Sequence, residues 1–115
     1  MRSSVWRTHR WQYRVTLSQH VAAWDALADN LEALRRAPDD ARTCNNLAWL
    51  WATSPRPEYR DPARAVEYAR RACDRTGNNE PGYLDTLAVA LAAAGQFAEA
   101  AEVQRRAVEL APEAE

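Results

Sequence analysis

The sequence predicts an all-α fold built from antiparallel helical hairpins stacked on one another. Three observations carry this expectation. Asn46-Leu47-Ala48-Trp49-Leu50-Trp51 is echoed 40 residues later by Thr86-Leu87-Ala88-Val89-Ala90-Leu91. Ala65 and Ala72, seven residues apart, return 35 residues later as Ala100 and Ala107. The composition, with 3 glycines and 47% hydrophobic residues rich in alanine, favours helix because alanine loses no side-chain entropy there. Self-similarity at a period of 20–50 residues is the signature of a solenoid, whose single hairpins cannot bury their apolar faces alone.

The elements follow from local chemistry, in chain order. Residues 1–17 form an arm in which Arg2, Arg7, Arg10 and Arg14 alternate with Trp6, Trp11 and Tyr13 and with no acid. No clean helical or strand period runs through it, and its aromatics are expected to pack on the first helix. Ser18 is positioned to cap that helix. Val21, Trp24, Leu27, Ala28, Leu31 and Leu34 then recur at threes and fours, one apolar stripe of an amphipathic helix that Pro38 terminates. Asp39 or Asp40 caps a second helix running to about Thr53, with Leu47, Leu50 and Trp51 on its apolar side. Pro55 and Pro57 forbid its extension. Asp61-Pro62 is a strong helix start, because the carboxylate accepts from free N–H groups and proline at the first position has none to leave unpaired. Ala65, Val66, Ala69, Ala72 and Cys73 form the inner stripe of this third helix, and Gly77 closes it. Pro81 opens a fourth helix with Leu84, Leu87, Ala88 and Leu91 inward, and Gly95 ends it. The fifth helix, from Phe97 to about Ala111, is expected to bury Phe97, Ala100, Val103, Ala107 and Leu110 before Pro112 stops it. Residues 113–115 are expected to fray.

With the elements in place, residues 18–112 resemble the tetratricopeptide repeat, a 34-residue helical hairpin with the pattern W-x2-L-G-x2-Y…A-x3-F…P. The last unit reads Leu84-x2-Leu87-Ala88-x2-Leu91, then Gly95, Ala100-x3-Gln104, Ala107 and Pro112. The middle unit reads Cys44-x2-Leu47-Ala48-x2-Trp51, then Ala65 and Ala72, with about five extra residues within Ser54–Asp61 and Gly77 in place of the closing proline. The first helix matches only the second half of a unit, through Ala26, Ala33 and Pro38. The resemblance implies a short right-handed superhelix of two full repeats plus a half; a generic antiparallel bundle would have the same helix count. Trp24 would contribute about 2–3 kcal/mol if fully buried against the second helix. The opposite side of its stripe, with Trp24, Leu27 and Leu31, would face an absent first helix, so residues 1–16 or a second chain are expected to cover it.

Several function classes are disfavoured. Net charge is −1, all 15 basic residues are arginine, and no apolar run approaches the roughly 20 residues of a membrane span. His9 and His20 are the only histidines and are not spaced for a metal, no glycine-rich loop precedes a helix, and no serine has a nucleophile setting. Catalysis, cofactors and metals are therefore not expected. Cys44 and Cys73 read as buried thiols of a reducing, cytoplasmic compartment, with a disulfide as the alternative. The resemblance implies binding instead: the first helix of each repeat lines a concave groove, here through Arg42, Asn45, Asn46, Trp49, Asp85, Thr86 and Val89. Related arrays use an asparagine at the position of Asn46 to hydrogen-bond an extended peptide, and an amide both donates and accepts. Asn46 bonding neighbouring side chains, and Trp49 packing in the core, are the plainer alternatives. With no lysine beside Arg42, clamping of a terminal carboxylate is not expected, and Asp85 favours a basic or N–H-rich partner. The expected function is a protein–protein interaction scaffold. The alternatives are a self-assembling repeat unit or a fragment of a longer array, and an arm whose arginines and tryptophans contact nucleic acid.

Overall fold

The computed structural model describes residues 21–111, and among these every regular element is helical, with no strand. The helices are α1 (residues 21–36), α2 (Ala41–Thr53), α3 (Pro62–Arg75), α4 (Pro81–Ala93) and α5 (Phe97–Leu110), with a single 3-10 turn at Pro57–Tyr59. The arm, the Ser18 cap, the Pro112 stop and the 113–115 tail lie outside the described residues.

Three of the helices begin on a carboxylate cap. Asp40 caps α2, its carboxylate accepting from the Thr43 backbone N–H at 3.0 Å and from the Thr43 hydroxyl at 2.7 Å. Asp61 caps α3 by accepting from the Arg64 N–H at 3.1 Å, with Pro62 at the first helical position. Glu80 does the same more loosely for α4, at 3.4 Å from the Gly82 N–H. The ends of α3 and α4 are closed alike. Asn78 N–H bonds the Cys73 carbonyl at 2.9 Å, and Gln96 N–H bonds the Leu91 carbonyl at 2.8 Å. Both closures pass through left-handed residues: Gly77 and Asn78 in the first, Gly95 with φ +81° in the second. At Gly95 only the backbone conformation calls for glycine, since an added Cβ would meet open space.

The helices pack in chain order, α2 on α3, α3 on α4 and α4 on α5, and α2 also reaches α4. One core runs through them, from Leu47, Ala48 and Trp51 of α2, past Ala65, Ala69 and Cys73 of α3, to Leu84, Leu87, Ala90 and Leu91 of α4 and Ala100 and Ala107 of α5. Ala65, Ala69, Ala90, Ala100 and Ala107 are the small members of this core, and side chains of that size let helix axes approach closely. Trp51 sets its ring edge-on to Tyr68, with centroids 5.1 Å apart, under the Arg64 guanidinium. The insertion after α2 is anchored rather than loose: Asp61 N–H bonds the Trp51 carbonyl at 3.0 Å, and Arg60 Nε donates to the Ser54 carbonyl at 2.7 Å. Exposed ion pairs join distant segments, Arg75 to Asp39 and Arg70 to Glu99, each worth about 0–1 kcal/mol.

Two burial expectations are corrected. On α5, Ala100 and Ala107 are buried and Val103 is half-buried, but Phe97 is 69% exposed and Leu110 lies on the exposed side. Among the described residues no further helix follows α5, so its outer stripe has nothing to pack on. On α1 the inward side consists of Ala23, Ala26, Leu27, Asn30, Ala33 and Leu34, with Leu27 and Leu34 against the core. Trp24 is 56% exposed and Val21 and Leu31 are also exposed, so the full burial considered for Trp24 does not occur.

Candidate functional site

The seven predicted groove residues occupy three matched register positions plus Arg42. Asn45 matches Asp85, Asn46 matches Thr86, and Trp49 matches Val89, each 40 residues apart. An α-helix turns about 100° per residue, so consecutive residues such as Asn45 and Asn46 lie on different flanks.

On α2 the open arc carries Arg42, Asn46, Trp49 and Thr53, all exposed, at i, i+4, i+7 and i+11. On α4 the open arc carries Gly82, Asp85 and Ala93, exposed, with Val89 half-buried among them. These are neighbouring helices. Arg42, Asn46, Trp49, Asp85 and Val89 therefore reach solvent on adjacent elements.

The other two are set differently. Thr86 is 4% exposed and its hydroxyl donates to the Gly82 carbonyl at 3.2 Å, which removes it from the groove. Asn45 is half-buried on the flank of α2 toward α4, and its Oδ1 is enclosed with no hydrogen-bond partner among the described residues. Leaving such an acceptor unpaired costs about 1–3 kcal/mol.

The helical register explains both results. The Asn46–Leu50 flank of α2 faces α1, where Trp49, Leu50 and Thr53 share a small cavity with Ala23 and Leu27. The opposite flank, with Asn45, is against α4. On α4 the order is reversed: the Thr86–Ala90 flank meets α2 and is buried, while the Asp85 flank is open. The signal that could have separated Thr86 from Asn46 was chain position, since α4 has a predecessor of its own kind and α2 has none among the described residues.

Sequence reasoning did not single out Tyr59. It stands in the insertion turn 5.9 Å from the Trp24 ring and lines the same cavity as Trp49. Aromatic side chains from α1, α2 and the insertion thus converge beside the open arc of α2.

The thiols are set for stability rather than reactivity. Cys44 and Cys73 are both buried and unpaired. Burial raises the Cys44 thiol above its ordinary range and pushes Cys73 up to about 11. Neither is a thiolate at neutral pH, which removes the form that attacks electrophiles. Among the described residues no three His, Cys, Asp or Glu side chains gather as a metal site would require, and no helix is long and apolar enough to cross a membrane.

The open arcs of α2 and α4 together present one cation, one carboxylate, one amide and one large ring. A comparison with models of known protein families finds no match, and a search of curated proteins finds none either.

Proposed function

We propose that this chain is a non-catalytic, cytoplasmic interaction scaffold, a short tetratricopeptide-like right-handed superhelix that binds an extended segment of a partner protein. The observation that carries the reading is the adjacency of α2 and α4. They are the first helices of successive hairpins, and each leaves a narrow solvent-facing arc, Arg42-Asn46-Trp49 on one and Asp85-Val89 on the other. Trp49, 45% exposed, supplies an apolar anchor of the kind that dominates interface energetics. Asp85 selects a basic or N–H-rich segment. The two buried, unpaired thiols support a reducing compartment.

Selection of a displayed random-peptide library on the full chain tests this. Selected peptides are expected to carry a basic residue and to lose at least about tenfold in affinity, about 1.4 kcal/mol, on Trp49→Ala/Asp85→Ala. Phe97→Ser, at the far end, should leave them unchanged. Failure to select any peptide, or equal loss at both sites, would remove the groove.

A second reading, self-assembly, has its own observation. Phe97 at 69% and Val108 at 65% exposure lie on one face of α5 with Ala101 and Gln104 between them. Exposed apolar stripes of this kind mark interfaces. A dimer dispersed by Phe97→Asp/Val108→Asp would favour this reading.

A further inference from the structure

The outer stripe of α5 is a packing face of the array that stands open. Phe97, Ala101, Gln104 and Val108 recur at fours and threes, and all four are exposed. At 100° per residue they fall within about 60° of one another around the helix. The same register on α3, 35 residues earlier, carries Pro62, Val66, Ala69 and Cys73, of which Ala69 and Cys73 are buried and the other two half-buried. On α1, 74 residues earlier, it carries Ala23, Leu27, Asn30 and Leu34, all half-buried. α3 is followed by α4, which packs on it, whereas among the described residues no helix follows α5. The face that is enclosed on two earlier helices is in water on the last.

We propose that a second copy of this chain covers the stripe, its α5 running antiparallel to the first about a twofold axis. The inference rests on the self-assembly reading above and fixes the orientation in which the copies meet. The stripe is self-complementary under reversal. Phe97 comes opposite Val108 of the second copy, and Ala101 opposite its Gln104. The large apolar side chains then meet at the two ends, and each long amide lies over the smallest residue at the centre. The two Gln104 amides flank the axis, where an amide can both donate and accept. The rim agrees in charge. Glu102 and Arg105 stand along one edge of the stripe, both exposed and paired with each other within one copy. Antiparallel packing brings this edge against itself, with Arg105 of one copy about 3 Å along the axis from Glu102 of the other. A parallel pairing would turn the same edge to the α4 side of the second copy and lose that match. A twofold contact closes on itself and stops at the dimer. With one helix from each copy, the interface is at the small end of the range, below about 1,200 Å² in total, so the dimer dissociates on dilution.

Light scattering on the full chain, from micromolar to millimolar concentration, is the first test. The mass is expected to rise from monomer toward dimer, and Phe97→Asp/Val108→Asp should stay monomeric throughout. Orientation is read by disulfide trapping with Phe97→Cys and Val108→Cys, one of them carrying a mass tag. Oxidation of the mixture is expected to link the two variants to each other, and oxidation of either alone should give little dimer. In the antiparallel pair, the two copies of position 97 lie eleven residues apart along the axis, about 16 Å. That is beyond the roughly 7 Å between Cα atoms that a disulfide spans. The native Cys44 and Cys73 are buried and do not compete. A chain that is monomeric at every concentration removes both the self-assembly reading and this pairing. A dimer that survives Phe97→Asp/Val108→Asp places the contact on another face and overturns the proposal. A dimer dispersed by those substitutions but lacking the mixed disulfide, or linking each variant to itself, overturns the antiparallel pairing and leaves self-assembly standing.

Discussion

The α2–α3 and α4–α5 hairpins are built on one pattern and differ in what lies beside them. Both enter on a carboxylate cap, both bury a Leu-Ala pair on the first helix, and both bury two alanines seven residues apart on the second, Ala65 and Ala72 in one and Ala100 and Ala107 in the other. Yet Asn46 is exposed where Thr86 is buried, and Asn45 is half-enclosed where Asp85 is open. The outer helix differs as well. α3 sits between α2 and α4 and buries Ala65, Ala69, Ala72 and Cys73, whereas α5 buries only Ala100 and Ala107. In a stacked array the same residue is core or surface according to its neighbour, and both hairpins carry uncovered positions, Asn46 on α2 and Phe97 on α5.

The two hairpins should differ most at the matched positions Trp51 and Leu91. Trp51→Ala removes a ring packed against Tyr68 and Arg64 and should cost about 3–5 kcal/mol. Leu91→Ala, in the end hairpin, should fall in the lower part of the 2–5 kcal/mol range, roughly 2–3 kcal/mol. Urea denaturation measures both. The reverse order would show that the α4–α5 hairpin, not the α2–α3 hairpin, holds the stronger core.

A smaller effect probes the flanks directly. Thr86→Asp buries a carboxylate beside the Gly82 carbonyl and should cost about 1–3 kcal/mol or more. Asn46→Asp, at the matched position, should cost far less, because a carboxylate there stays solvated. Equal penalties would mean that the two flanks are covered to the same degree.

The smallest effect concerns the caps. The Thr43 hydroxyl and backbone N–H hold the Asp40 carboxyl below its ordinary range. A carboxyl whose folded pKa is depressed contributes stability above its unfolded value, about 3.9, and that contribution is lost as pH falls through the lower folded value. Asp40→Ala should therefore lower the thermal midpoint at pH 7, with the difference from the parent shrinking below about pH 4. Glu80→Ala, with its single 3.4 Å bond, should lower it less. A pH-independent difference at Asp40 would assign its effect to helix propensity rather than to the charged cap.

How much of this was legible can be argued residue by residue. The start of α3 at Asp61-Pro62 and the closures at Gly77 and Gly95 follow from backbone chemistry within a few residues, and the structure has them where the sequence puts them. The inward sets of α3 and α4 were legible because those helices are packed on several sides. Phe97, Leu110 and Trp24 were not, because periodicity reveals an apolar stripe but not whether a second surface exists to meet it. Part of the groove was equally local: Arg42, Asn46 and Trp49 share an arc by spacing alone. Thr86 and Asn45 left it because of helices tens of residues away.

The helices, their caps and breaks, the internal register and the small residues of the hairpins were set locally, since each depends on interactions within about four residues along the chain or on a repeat visible in the letters. Which flank of α4 is sealed, and which apolar side chains remain in water, depended on how the helices pack. Burial is set by the elements packed around a side chain, and two residues in the same register can meet entirely different surroundings.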